Sequence, residues 1–349
     1  MRYSKAVLAC GISLLLIFTA RQHLTVLYWT LRTYATFHSS LRVHPEILHQ
    51  YNTSTSDAEV PHHSPGLAPA TLHRVHLTEG QAVSSSNYSE AIASCHQLHP
   101  KWTHITWTDE AGAAFLRQYY PALWTHYTNY PRTVQKANIL RYAVLEHYGG
   151  VYLDMDITCL RPLDSLRRLP FLAPAAFPAG VSNGFMVSRA QHPLLKQALD
   201  GVITSHLRWG LPYVEIMLTT GCMFLSNQRT KFMSRTTGSD RVLHDRDKVF
   251  ILADEDGKVG PHMLRGAVTT SLFRHGGASS WHEWDAAVVV FVARHARCFG
   301  AVFMIGLVGT AMLVCRGRRR IAFSSKIDKL AKKRMAATKS SEDDMKLFV

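Results

Sequence analysis

Residues 134–163 constrain the fold of this chain more than any other stretch, because they join a helix pattern, a glycine stop and a strand pattern. Apolar residues recur at helical spacing in the first half, and Gly149 and Gly150 follow, where a left-handed cap ends a helix. The next residues alternate with period two, which predicts a strand that ends in Asp154 and Asp156. Two carboxylates on one side of a strand end can share one hard cation that also binds phosphate oxygens.

Two polar side chains of the predicted helix share a face. Asn138 and Arg141 lie three residues apart, so they point the same way, away from the apolar face. An Asp-x-Asp pair alone is common in turns, so the neighbouring residues decide its interpretation.

The order Ala-Asn-x-x-Arg-Tyr, followed by Tyr-Gly-Gly-Val-Tyr-Leu-Asp-Met-Asp, resembles the core of glycosyltransferase family 32. Many members have Asp where this chain has Asn138, an exchange that removes a charge but keeps a hydrogen-bonding side chain of the same shape. The resemblance covers roughly residues 43–315 and is strongest at 134–164, 209–226 and 275–285. It implies an α/β, GT-A-type Rossmann-like nucleotide-sugar transferase domain. It also implies a GDP-mannose donor and retaining transfer of mannose onto inositolphosphorylceramide, a membrane sphingolipid.

The resemblance also assigns roles to single residues. Asp154, Asp156 and Arg141 form the catalytic set, and the two carboxylates bind a divalent metal. His275 is the third metal ligand and His282 the alternative, and an imidazole ligand favours Mn²⁺ as the cofactor over Mg²⁺ or Ca²⁺. The residues that it implies in donor binding are Trp107, Asp109, Asn138, Arg141, Ser182, Asn183 and Trp281.

Two uncharged apolar runs predict membrane helices on either side of the catalytic domain. Residues 6–20 follow Arg2 and Lys5 without a small-x-small cleavage site, which favours an uncleaved signal anchor at 6–21. Residues 298–315 span ~27 Å as a helix, close to the thickness of a bilayer's hydrocarbon core. A basic flank begins at Arg316, so the positive-inside rule places both termini in the cytosol and the catalytic domain in the lumen. Residence in the Golgi membrane is implied by the resemblance.

The chain therefore divides into consecutive predicted segments. They are a cytosolic N-terminus (1–5), the signal anchor (6–21), a stem (22–42), the lumenal catalytic domain (43–297), the second transmembrane helix (298–315) and a basic cytosolic tail (316–349). The stem is either a helix lying at the lipid interface or an ordinary stem helix.

Inside the catalytic domain, residues 45–51 are predicted as the opening strand. Residues 52–86 are rich in Ser, Thr, His and Pro without periodicity, so they are predicted as a flexible surface insertion. The cysteines of the lumenal part are Cys95, Cys159 and Cys222, which allow one disulfide whose pairing stays open.

The net charge of +14 does not indicate a nucleic-acid partner. Residues 316–349 contain 11 Lys/Arg and 4 Asp/Glu, so this tail alone carries +7, half of the excess. Only Phe323 and Phe348 interleave with these charges, so no stacking platform for bases is expected. A basic stretch directly after an apolar run is typical of a cytosolic membrane flank.

Residues 209–226 are predicted to form a buried helix and loop that offers a wall for the lipid acceptor, with Trp209 and Tyr213 at the boundary of water and lipid. Their order Trp-x-x-Pro-Tyr…Thr-Gly-x-x-Phe-Leu-Ser resembles the lipid-directed branch of the family. Glu215 and Asp285 are the carboxylates near these motifs, and neither is assigned as a nucleophile. Two alternatives stay open, a Golgi mannosyltransferase that elongates a protein-linked glycan and a non-catalytic membrane partner. A regulatory membrane subunit also stays open.

Overall fold

The computed structural model describes residues 2–43, 48–50, 67–79, 88–176, 179–237, 244–253, 268–277, 282, 284–295 and scattered positions between 298 and 312. The helices of these residues are α1 (Arg2–Val43), α2 (Ser89–Leu98), α3 (Asp109–Tyr119), α4 (Pro121–Asn129), α5 (Thr133–Tyr148), α6 (Pro193–Thr204), α7 (Pro212–Thr219), α8 (Cys222–Thr237) and α9 (Trp284–Arg294). The strands are β1 (Leu48–Gln50), β2 (Thr71–Val75), β3 (Thr103–Trp107), β4 (Gly150–Leu153), β5 (Ile157–Cys159), β6 (Phe171–Pro174), β7 (Phe185–Ser188), β8 (Phe250–Ala253), β9 (Val268–Thr269) and β10 (Phe273–His275).

The main sheet of the described residues has the order β1-β8-β6-β7-β4-β2-β3, and only β7 runs antiparallel to its neighbours. This parallel-rich sheet, with helices in the intervening segments, confirms the predicted α/β class. Since β2, β3 and β4 are parallel neighbours, their carboxyl ends meet at one edge of the sheet. Ligand sites of open α/β sheets lie at such an edge.

A smaller antiparallel sheet, β5-β10-β9, follows the end of β4. Its register sets His275 opposite Ile157, immediately after the Asp-x-Asp turn. A disulfide joins Cys95 of α2 to Cys159 of β5 across 64 residues, which answers the pairing that the sequence left open. Cys222 is a free thiol.

Helix α5 and strand β4 lie in the core, as residues 134–156 predict. Ile139 and Val144 are fully buried, and Gly149 ends the helix with a positive φ of 68°. A Cβ at Gly149 would lie 2.5 Å from the main-chain nitrogen of Ala190, so a side chain at this position would clash with the next chain segment. All four residues of β4 are buried, because elements cover both faces of the sheet.

The prediction for residues 45–86 is wrong in one respect. Strand β2 lies inside the predicted insertion and is the second strand from one edge of the sheet, between β3 and β4, whereas β1 pairs with β8 at the opposite edge. A strand buried on both faces lacks the alternation that marks a half-buried strand, and the polar residues His73 and Arg74 interrupt its apolar run. Residues 52–66 and 80–86 lie outside the described residues.

Two other boundaries follow from local chemistry. Strand β3 ends at Trp107, because Thr108 caps α3 by accepting from the backbone N–H of Ala111 at 3.3 Å. Pro121 divides α3 from α4, since proline is favoured in a first helical turn. The stretch 209–226 forms α7 and the start of α8, joined at Thr220 and Gly221.

Helix α1 is continuous, so the predicted signal anchor and stem belong to one helix. Thr33, Phe37 and Leu41 are buried, and Thr33 donates to Asn227 Oδ1 of α8 at 3.0 Å, so the stem part packs on the domain. Within the described part of the chain, no helix has the length and apolar character that crossing a membrane requires. Much of the predicted second span lies outside the described residues. Residues 287–349 form a separate compact unit.

Candidate functional site

The Asp-x-Asp turn between β4 and β5 forms the centre of the candidate site. Asp154 Oδ1 accepts from the Tyr152 hydroxyl at 2.8 Å and lies 2.9 Å from Arg141 Nη1. Tyr152 and Asp154 therefore share a side, as the period-two pattern predicts. Burial raises the pKa of Asp154, and the Arg141 charge opposes this rise.

Arg141 is a buried cation with fixed neighbours. Its Nη1 donates to the main-chain oxygen of Asn183 at 2.8 Å, and its guanidinium lies 4.6 Å from the ring centroid of Tyr152. Burial alone would lower its pKa, but Asp154 together with Tyr152, Tyr142 and Cys222 more than offsets this effect, so the pKa is raised and the side chain stays charged. The site thus holds a permanent positive charge beside one carboxylate.

His275 lies next to the second carboxylate. Its Nε2 is 3.4 Å from Asp156 Oδ2, because β10 pairs with β5 directly after the turn. The rival His282 lies elsewhere, with its ring 5.2 Å from that of Tyr213, and burial lowers its pKa. The geometry therefore favours His275 over His282 as the partner of the carboxylate pair.

The space beside the two carboxylates suits a divalent cation. A Cβ at Gly184 would lie 2.8 Å from Asp154 Oδ2, and one at Gly276 would lie 3.3 Å from Asp156 Cβ, so two glycines keep this region open. Among the residues that the structure describes, no three His, Cys, Asp or Glu side chains are arranged so that they could hold a metal ion by themselves. Carboxylate oxygens and an imidazole nitrogen together match the ligands that Mn²⁺ accepts. Asp154, Asp156 and His275 therefore fit such an ion in ligand chemistry.

Three buried polar side chains lie close to Arg141: Asn138, Ser182 and Asn183. Asn183 Nδ2 donates to Asn138 Oδ1 at 3.0 Å, and both side chains are buried. Ser182 Oγ accepts from the backbone N–H of Gly184 at 3.3 Å, which shapes the loop before β7. The structure therefore brings Asn138, Arg141 and Asn183 together with Asp154, as a shared donor site requires.

Trp107 and Asp109 lie at the same sheet edge but are engaged within the protein. Trp107 is buried, and its indole N–H donates to His73 Nδ1 at 3.1 Å. Asp109 Oδ2 accepts from the backbone N–H of Thr78 at 2.8 Å and thereby holds the loop after β2. Donor contacts by these two residues stay a prediction, and Trp281 lies outside the described residues.

Two residues of β2 support the site and were missed from the sequence. Arg74 donates to the main-chain oxygens of Asp154 and Met155 at 2.8 and 3.2 Å. His73 accepts from Trp107, so its Nε2 carries the proton and donates to Gly149 O at 3.0 Å. A buried polar pair in a strand needs such partners, but nothing in the sequence indicates which ones.

Glu215 and Asp285 hold the start of α7. Glu215 Oε2 accepts from the backbone N–H of Trp209 at 3.1 Å, and Asp285 Oδ2 accepts from that of Tyr213 at 2.7 Å. Both carboxylates are buried and act as caps of backbone donors. These contacts fix the stretch that was predicted to face the acceptor.

Residues 85–171 match the family described as "Glycosyltransferase sugar-binding region containing DXD motif". The chain is 30% identical to inositol phosphoceramide mannosyltransferase 1 of Schizosaccharomyces pombe over 282 residues, which cover 77% of this chain and 82% of that protein. It is 35% identical to mannosyl phosphorylinositol ceramide synthase SUR1 of Saccharomyces cerevisiae over 69% of this chain and 59% of that protein. Among solved structures, the PaToxG glycosyltransferase aligns with 14% identity and a TM-score of 0.38, over 48% of this chain and 71% of that one.

Proposed function

We propose that this chain, which belongs to the glycosyltransferase family that contains the inositol phosphoceramide mannosyltransferases, transfers mannose from GDP-mannose to inositol phosphoceramide. The chain spans 82% of one such relative but about three fifths of two others, so the activity of the whole protein is inferred. The observation that carries the proposal is the arrangement of Asp154, Asp156, Arg141 and His275 at the carboxyl end of β4.

The domain is proposed to be of the GT-A type. The parallel strands β3-β2-β4 and the Asp-x-Asp turn that follows β4 support this assignment. In this arrangement the nucleotide lies over the carboxyl ends of β2 and β3, and the diphosphate faces the turn. Trp107 and Asp109 are the proposed residues on the nucleoside side, and Trp281 is proposed to pack against the diphosphate or the nucleoside edge.

Sugar transfer requires that the leaving diphosphate is neutralised and that the acceptor hydroxyl is held close to the anomeric carbon. A divalent cation, proposed as Mn²⁺ on Asp154, Asp156 and His275, supplies Lewis acidity to the diphosphate when it is bound. Arg141 provides a fixed positive charge toward the donor phosphate or hydroxyls and keeps Asp154 oriented.

Ser182, Asn183 and Asn138 are proposed to shape the sugar subsite, since all three are buried around Arg141. Glu215 and Asp285 are not proposed as nucleophiles, because each is committed to a backbone N–H of the segment 209–213. The transfer is proposed to retain the anomeric configuration without an assigned carboxylate nucleophile.

The acceptor side is proposed to lie at the membrane surface of the Golgi lumen. The basic flanks of the apolar runs 6–20 and 298–315 support two spans with both termini in the cytosol. Exposed apolar and aromatic side chains of α1, which include Leu24, Tyr28 and Leu31, support closeness to lipid.

An acceptor competition tests the proposal. The solubilised enzyme receives GDP-mannose together with inositol phosphoceramide and free oligomannose, and the mannose on each acceptor is measured. The proposal predicts mannose on the lipid. Mannose on the oligosaccharide but not on the lipid would replace the proposal with glycan elongation, and no transfer to either would support a non-catalytic partner.

A further inference from the structure

The loop of residues 180–184 meets the catalytic residues through its main chain. Asn183 O accepts from Arg141 Nη1 at 2.8 Å, and Gly184 O accepts from the backbone N–H of Asp154 at 2.9 Å. The position of this loop therefore sets where Arg141 and Asp154 lie relative to each other. Backbone hydrogen bonds hold the loop at residues 180, 182 and 184, whereas the side chain of Asn183 is held by side-chain contacts.

The opposite side of the loop lies against the start of α8. Ser226 Oγ accepts from the backbone N–H of Val181 at 2.9 Å, and Cys222 Sγ donates to Asn183 Oδ1 at 3.0 Å. A Cβ at Gly180 would lie 2.1 Å from Ser226 Oγ, so the loop backbone touches the helix directly. The stretch 209–226, predicted to face the acceptor, is thus hydrogen-bonded to the loop that contacts Arg141 and Asp154.

A second connection runs through α5. Asn183 Nδ2 donates to Asn138 Oδ1 at 3.0 Å and to the Tyr142 hydroxyl at 2.8 Å. Asn138 Nδ2 donates to Thr220 Oγ1 at 3.2 Å, and the Tyr142 hydroxyl donates to Thr220 O at 2.7 Å. Each bond fixes the direction of the next, so both amides have one orientation that satisfies every partner.

All members of this cluster are buried or half-buried, so water cannot replace a lost partner freely. Burial raises the pKa of Tyr142 and of Cys222, which keeps both groups protonated and able to donate. Without the Thr220 hydroxyl, Asn138 Nδ2 loses its acceptor, and without the Cys222 thiol, Asn183 Oδ1 loses a donor. The amide can then rotate, and the main chain of Asn183 loses the restraint on which the Arg141 contact depends.

We propose that Thr220 and Cys222, at the junction of α7 and α8, are positioning residues for sugar transfer. They orient the Asn138–Asn183 amide pair and, through it, hold Arg141 beside Asp154. This inference rests on the proposed function of the site. It further implies that the stretch 209–226 and the donor site are connected by hydrogen bonds, so a change at the junction alters the chemical step.

Two pairs of variants test the proposal. Thr220→Val removes the hydrogen-bonding group at nearly constant size and Cys222→Ala removes it by shortening the side chain, whereas Thr220→Ser and Cys222→Ser keep it. Loss of one buried hydrogen bond that acts on the transition state predicts a kcat about 10-fold lower in the first pair. The KM for GDP-mannose is expected to change less than about 2-fold, since the proposed metal ligands of the diphosphate, Asp154, Asp156 and His275, are unchanged. The serine variants are expected to keep the wild-type kcat.

Rates are normalised to folded enzyme by thermal unfolding of each variant. A purely structural role would lower the unfolding temperature without changing kcat per folded molecule, and that result would overturn the proposal. Serine variants as slow as Thr220→Val and Cys222→Ala would overturn it as well. If the wild type uses oligomannose and not inositol phosphoceramide, the proposed acceptor is wrong, and the same comparison on oligomannose still decides whether the junction positions the site.

Discussion

Arg74 Nη1 lies 2.8 Å from the main-chain oxygen of Asp154, so a guanidinium on the neighbouring strand β2 holds the backbone of the Asp-x-Asp turn. Its further partners are Met155 O, Ala91 O, Ile157 O and Cys95 Sγ. Burial lowers the pKa of Arg74 to about 10, so the side chain remains charged at neutral pH. A planar group with five donors suits several carbonyls at once, which an ammonium group cannot match.

Arg74→Lys is expected to lower mannosyl transfer at least ~10-fold and to destabilise the protein by ~2–4 kcal/mol, because several buried carbonyls lose charged donors. The rate is measured per folded enzyme, and stability by denaturant unfolding. Arg117→Lys, on the exposed surface of α3, is the matched control and should leave both unchanged. Wild-type rate and stability in Arg74→Lys would show that the turn does not depend on this contact.

His73 predicts a pH dependence of stability. Burial lowers its pKa to about 4, whereas an unfolded imidazole titrates near ~6.5. As the pH falls, the unfolded state takes up the proton first. The contribution of neutral His73 to the free energy of unfolding is therefore complete above pH ~6.5 and is lost as the pH falls to about 4. This contribution amounts to ~3 kcal/mol.

His73→Gln removes the titrating group but keeps a side chain that hydrogen-bonds. The free energy of unfolding of this variant should fall less steeply between pH 6.5 and 4 than that of the wild type. His192, whose pKa burial lowers to about 3, retains its own contribution. The exposed His38→Gln serves as the control. An equal slope in wild type and His73→Gln would contradict the neutral, buried state of His73.

His275 and His282 provide an internal comparison for the metal site. His275→Ala should raise the Mn²⁺ concentration for half-maximal activity ~10–100-fold, because the imidazole lies 3.4 Å from Asp156. His282→Ala, beside Tyr213, should leave the metal titration unchanged. If the Mn²⁺ titration shifted in His282→Ala but not in His275→Ala, His282 and not His275 would be the metal ligand.

Residues 134–156 could be predicted from the sequence, because the helix, the glycine that ends it and the strand with its two carboxylates each follow from neighbouring residues. Helical spacing, a positive φ at Gly149 and a period-two strand depend on neighbouring residues only. The closeness of Asn138 and Arg141 follows from helix geometry, whereas their contacts with Asn183 depend on the tertiary structure.

Strand β2 and its two polar residues could not be found in this way. Its burial on both faces removes the alternation, and its neighbours β3 and β4 lie 28 or more positions further along the chain. His73 and Arg74 look like surface residues until Gly149 and the Asp-x-Asp turn are placed beside them. The Cys95–Cys159 pairing likewise depends on tertiary contacts.

Mannosyl transfer by Asp156→Asn tests most directly whether the Asp-x-Asp turn is the catalytic metal site. Purified wild type, Asp156→Asn and the exposed control Asp200→Asn are assayed with GDP-mannose and inositol phosphoceramide, after chelation and across a Mn²⁺ titration. Wild type and Asp200→Asn should lose activity with the chelator and regain it with Mn²⁺. Asp156→Asn should stay at least ~100-fold slower at every Mn²⁺ concentration, because it lacks a charged metal ligand. A folded Asp156→Asn that transfers mannose at the wild-type rate would contradict the metal site.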